Sequence, residues 1–83
     1  MQDNDALKPT IDLRLFAGLQ QFKPASCEAY PIKQGITIRE LLKELNLPEK
    51  KAKLLFVNGI KADPDVVLHG GERVGIFPPV GGG

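Results

Sequence analysis

One stretch of this chain is built to wrap into an amphipathic helix, and it fixes what the remaining segments must do. Thr37-Ile38-Arg39-Glu40 has the T-x-x-E form of a capping box. In that device the threonine hydroxyl accepts from the amide of Glu40 while the glutamate carboxylate reaches back to the threonine amide. Ile38, Leu41, Leu42 and Leu45 follow at helical spacing, leaving Arg39, Lys43 and Glu44 to water. Asn46 and then Pro48 end the helix. A single helix with one apolar stripe finds its economical packing across one face of a sheet.

The flanking segments supply that sheet. From Thr10 the pattern has period two, with Ile11, Leu13, Leu15 and Ala17 on one face and Asp12 and Arg14 on the other. Phe16 falls on the polar face. Gly18 and Pro24 bracket a wet connection through Gln20, Gln21 and Lys23. Residues 26–33 read as a weaker strand whose Pro31 confines it to a sheet edge. Its inward pair is either Cys27 and Ala29 or Tyr30 and Ile32. Leu54 to Val57 and Ile60 to Ala62 are joined by Asn58-Gly59, a hairpin signal because both turn positions need positive φ. Val66-Val67-Leu68 forms an irregular, partly buried connection. Glu72 to Phe77 is the last strand, with Val74 and Ile76 inward and Arg73, Gly75 and Phe77 outward. The expected fold class is α+β, a mixed sheet of four to five strands with one main helix. A β-grasp arrangement places the last strand parallel to the first, although periodicity leaves other α+β topologies open. The expected organisation is a flexible N-terminal lead over residues 1–9, a domain over 10–77 and an extended C-terminal tail over 78–83.

At 83 residues the chain makes one domain with few buried positions to spare for a catalytic cavity. A net charge of +1 and no basic stripe with interleaved aromatics argue against nucleic acid. The run Lys50, Lys51 and Lys53 reads as a solvated loop. Cys27 and His69 are the only residues of their kinds, too few for a metal set. Cys27 has no base or cation beside it to lower its pKa and reads as a core or edge thiol. Asp63 and Asp65 flank Pro64 and belong to a turn. No apolar stretch is long enough to span a bilayer, and MQDNDALKPT lacks a signal-peptide core. A cytoplasmic protein is expected.

The chemistry concentrates at the end of the sequence. Pro78-Pro79 stiffens the exit from the last strand, and Gly81, Gly82 and Gly83 remove every side chain from its tip. Extended, these six residues reach about 20 Å. Such a thread suits a narrow tunnel in another protein. An α-carboxylate, with a pKa of about 3.5, is an unreactive acyl group at neutral pH until activated, most simply as an acyl-adenylate. The chain has neither a Walker motif nor G-x-G-x-x-G, so the activator is a separate ATP-using enzyme. The plain alternative is a frayed glycine terminus. Phe16 and Phe77, both outward and near the same end of neighbouring strands, would form an apolar patch at the root of the tail, fit for docking.

Leu15-Phe16-Ala17, Gly35-Ile36-Thr37-Ile38-Arg39-Glu40-Leu41-Leu42, Val57-Asn58-Gly59 and the ending Ile76-Phe77-Pro78-Pro79-Val80-Gly81-Gly82-Gly83 resemble the MoaD/ThiS family. The resemblance spans Thr10 to Gly83 and implies a β-grasp, ubiquitin-like sulfur carrier, not itself an enzyme. It implies that Gly83 is adenylated by an E1-like adenylyltransferase of the MoeB/ThiF kind, using ATP and magnesium. A cysteine desulfurase or rhodanese-type donor then converts it to a thiocarboxylate. Gly82 matches the penultimate glycine of the family, and Phe16, Phe77, Pro78, Pro79 and Val80 fall where partners are contacted. The carrier itself binds no cofactor. The Phe-Pro-Pro-Val ending looks more like the small subunit of molybdopterin synthase, whose partner is the large synthase subunit, than the thiamine-thiazole carrier. Gly81, the loop Gly18-Leu19-Gln20-Gln21 and Lys61 depart from that subunit's pattern. Thiazole synthesis, tRNA thiolation, another sulfur acceptor enzyme and protein modification through an isopeptide bond all remain open.

Overall fold

The computed structural model of the chain describes residues 9–25 and 27–79. Its strands are β1 (Thr10–Leu15), β2 (Tyr30–Pro31), β3 (Leu54–Val57), β4 (Ile60–Ala62) and β5 (Arg73–Phe77), with one α-helix, α1 (Ile38–Glu44). The sheet order is β2-β1-β5-β3-β4. β1 and β5 run parallel, and every other neighbouring pair is antiparallel. This is the expected mixed five-stranded β-grasp sheet.

α1 is anchored as its sequence requires. The Thr37 side chain accepts from the amide of Glu40, and the Glu40 carboxylate accepts from the Thr37 amide at 3.0 Å. Ile38, Leu41, Leu42 and Leu45 are all buried, and Asn46 closes the helix at φ 59°. Their partners are Ile11 and Leu13 of β1, Leu55 of β3, Val74 and Ile76 of β5, and Leu68 from the irregular connection. The Arg39 guanidinium, at the rim of α1, donates to Glu49 at 2.7 Å and also pairs with Asp65, tying the helix to the loops on either side of it.

Three expectations about the strands need correcting. The alternation of β1 stops at Leu15: Ala17 is exposed, at φ 50°, and Gly18 follows at φ 89°, so the chain turns out of the strand there. The connection after it is a 3-10 turn over Leu19–Phe22 that plants Leu19 in the core. The second strand, expected over 26–33, is reduced to Tyr30–Pro31, because Pro31 has no N–H for the ladder. Ile32 is its buried residue, and Ala29 is exposed. Leu13 nevertheless donates to the Cys27 carbonyl at 2.8 Å, so the segment still guards the edge of β1. Pro9, one residue before β1, accepts the Ile32 amide at 3.0 Å.

Two turns set the ends of the sheet. Asn58 and Gly59 sit at φ 53° and 84°, the doubly left-handed turn foreseen for the β3–β4 hairpin. At Gly70, φ is 123° and a Cβ would lie 2.8 Å from that of Pro9, so no other residue fits. The Glu72 carboxylate accepts the amides of His69 and Gly70 at 2.8 and 2.7 Å. Partial burial works against that carboxylate, but these amide donors outweigh it and hold its pKa below the usual range. Hydrogen bonding from Thr37 likewise lowers Glu40.

Replacing Leu42, which is 1% exposed, by Ala should destabilise the domain by about 2–5 kcal/mol in urea titrations. Because Glu40 and Glu72 have folded pKa values below their unfolded ones, their contribution is complete above about pH 4.3. It disappears as the pH falls through the folded values. The unfolding midpoint should therefore drop on acidification below about pH 4.3. E72Q should show a shallower acid dependence than the wild type.

Candidate functional site

The outer face of the sheet, opposite α1, is where alternation sends Phe16, Phe56 and Phe77. Phe16 follows β1, Phe77 ends β5, and the parallel register that pairs Leu15 with Ile76 brings the two rings together. Their centroids lie 4.3 Å apart with planes 8° from parallel. Phe56 meets Phe77 edge-on, at 5.6 Å and 79°. Such pairs add about 0.5–1.5 kcal/mol beyond their area burial. Phe16 remains 37% exposed, so the cluster presents apolar surface to solvent.

Gly75 forms the floor beneath the rings. It is buried although it lies on the outer face, and a Cβ there would sit 3.5 Å from the Phe16 ring and 3.9 Å from both Phe56 and Phe77. The missing side chain leaves an open depression of about 270 Å³, walled by the three rings and rimmed by Arg14 and Arg73. Arg14 forks onto Asp12 at 2.9 and 3.1 Å, and that guanidinium holds the Asp12 carboxyl below the ordinary range.

The depression adjoins the root of the tail. The Phe77 carbonyl accepts from Lys53 at 2.9 Å, and Pro78 and Pro79 leave the sheet next to it. Phe16 and Phe77 thus form the expected patch. Val80, Gly81, Gly82 and Gly83 lie outside the described residues. Phe56 was not foreseen as a member. Its signal was available: with Leu55 and Val57 inward, Phe56 must face outward, and the β3–β5 pairing sets it opposite Gly75. Cys27 is half-buried at the edge of β1, His69 is exposed, and Asp65 is engaged with Arg39. Among the described residues no group of three or more His, Cys, Asp or Glu side chains is arranged to hold a metal ion. No helix among them is long and apolar enough to cross a membrane.

The ThiS family profile matches residues 13–83, from the second half of β1 through β5, and takes in the stacked rings and the terminal glycines. The chain belongs to the ThiS family. It is a ubiquitin-like sulfur carrier of the MoaD/ThiS type, a class whose members are generally not enzymes themselves and work with E1-like activating enzymes and sulfur acceptors. Among solved structures it is similar to a Pyrococcus furiosus protein provisionally named molybdopterin converting factor, subunit 1. The TM-score there is 0.64 and the identity 26%, covering 87% of this chain and 99% of the other. SAMP1 from Haloferax volcanii shares the fold, with a TM-score of 0.63 and 19% identity, over 89% of this chain and 99% of its own. No curated protein matches by sequence.

In this ThiS-family chain a Cβ on Gly75 would lie at ordinary contact distance from the rings, so a methyl group should fit there, whereas the γ-methyls of a valine, fixed to the strand at the floor of the depression, would be driven against the ring edges. Gly75→Ala should keep the wild-type ring-current shifts of Phe16 and Phe77. Gly75→Val should part the rings and change those shifts, while circular dichroism still reports a folded sheet.

Proposed function

We propose that this chain carries sulfur as a thiocarboxylate on Gly83 and delivers it during molybdopterin synthesis. The observation that supports this most directly is the family match running through Gly83. The likeness to the Pyrococcus protein favours the molybdopterin pathway over thiazole synthesis.

In this reading the Gly83 carboxylate attacks the α-phosphorus of ATP in an E1-like active site and expels pyrophosphate. The terminal sulfur of a persulfide on a cysteine desulfurase or rhodanese-type donor then attacks the acyl carbon and displaces AMP, and a second thiol cleaves the resulting acyl disulfide, leaving the thiocarboxylate on Gly83 and a disulfide on the donor. The chain's own residues contribute binding and reach rather than acid–base chemistry. Phe16, Phe56 and Phe77 hold the partner at the base of the tail. Pro78 and Pro79 aim the exit, and Val80 with Gly81 and Gly82 occupies the partner's tunnel. Docking converts the attack of Gly83 into an effectively intramolecular step, which is where positioning lowers the barrier. A large synthase subunit then receives the sulfur. The requirement for ATP and for reduced thiol donors puts this chemistry in the cytoplasm.

Intact-protein mass spectrometry after incubation with an E1-like enzyme, ATP and a sulfur source should show replacement of one oxygen by sulfur. Deleting Gly83 should abolish that change and leave the urea-unfolding midpoint as it was. High-mass conjugates that depend on Gly83, without any thiocarboxylate, would replace the carrier reading with protein modification.

A further inference from the structure

The strand registers across the outer face define a lateral row. Arg14 stands opposite Gly75, Gly75 opposite Phe56, and Phe56 opposite Lys61. Directly opposed residues share a face, so a cation stands at each end of this row, with the glycine depression and the Phe56 ring between them. Phe16 and Phe77 close the depression on the tail side. Arg73, two residues before Gly75 on β5, closes it on the other, its guanidinium about 4.0 Å from where a Gly59 Cβ would stand.

The charges around the depression do not balance. Asp12 is engaged by Arg14 at 2.9 Å and also stands opposite Arg73 across the β1–β5 ladder, one carboxylate between two guanidinium groups, and the Glu72 carboxylate is turned to the amides of His69 and Gly70. Arg73 and Lys61 are exposed and form no ion pair among the described residues. The net field at the rim is therefore positive, although the whole chain carries only +1.

We infer that the depression over Gly75 is a recognition pocket for one aliphatic side chain of a protein partner, presented between carboxylates that meet Arg73 and Lys61. A volume of about 270 Å³ open to solvent accepts a single leucine-sized group. The rings supply the apolar contact that slows dissociation, and the cations select and steer an acidic approach. The assignment rests on the carrier reading only for the identity of the partner. The pocket's preference is a property of this chain.

The test separates the two. Amide resonances of the full chain are followed while two five-residue peptides are added, one with leucine between pairs of glutamates and one with leucine between pairs of lysines. The acidic peptide should shift the amides of Phe56, Arg73, Gly75 and Phe77 and bind at least about fivefold more tightly at low salt. In K61E/R73E, whose changes fall on exposed side chains, the preference should reverse. Equal response to both peptides, no shift at these residues, or an unchanged preference in the variant overturns the inference. In parallel, association with an E1-like enzyme from the same genome should be slowed by K61E/R73E and weakened by salt. If the wild-type chain is never adenylated while the peptide preference holds, the carrier reading fails and the pocket stands.

Discussion

The parallel ladder between β1 and β5 is the constraint on which the other contacts depend. It joins the first described strand to the last, pairing Asp12 with Arg73, Leu13 with Val74, Arg14 with Gly75 and Leu15 with Ile76. A parallel pair cannot be closed by a tight turn, so the intervening chain must cross over. Here it does so through α1 and the β3–β4 hairpin. The side chains of the ladder alternate with period two. Leu13, Val74 and Ile76 meet α1 on one face, while Arg14 and Gly75 reach the outer face. A one-residue slip would exchange those sets, burying a guanidinium and exposing the core. The core and the aromatic outer face are thus fixed by a single register.

That shared origin explains why much of the molecule was legible in its sequence. α1 was specified by local chemistry, since Thr37 and Glu40 satisfy each other's amides whatever surrounds them. The Asn58-Gly59 turn was equally local. Phe16 and Phe77 followed from alternation together with the parallel pairing. What escaped depended on contacts distant in the chain. Leu19 sits among polar neighbours, and nothing in Gln20-Gln21 announces that its side chain reaches the core. The short β2 reflects Pro31 cutting the ladder, which the pattern of 26–33 suggested only as an edge position. The part played by Phe56 becomes visible once β3 is known to lie beside β5, and Gly75 reads as an ordinary strand glycine until the rings over it are placed.

The two faces of the sheet are chemically distinct. On the inner face the aliphatic side chains beneath α1 are packed nearly without exposure, Ile60 at the β4 edge being the open exception, and among the described residues no polar side chain is buried. On the outer face the apolar groups are aromatic, partly open and ringed by cations. Aliphatic packing suits permanent burial. Rings with wide, flat surfaces suit a contact made and released, because few rotamers are frozen when a partner arrives. A carrier visiting an activating enzyme and then an acceptor needs that separation, since repeated docking must leave the fold undisturbed.

The position of β5 has a mechanical consequence. It is the central strand, bonded along one edge to β1 and along the other to β3, and the carbonyl of its final residue, Phe77, is held by the Lys53 amide. Tension applied through Pro78 acts along the axis of this strand and loads both ladders in shear. Their hydrogen bonds must yield together, not one after another as when an edge strand is peeled away. Any pull transmitted through Pro78 is therefore borne by a strand held along both edges, and the load is spread over the whole sheet before a single strand can come away.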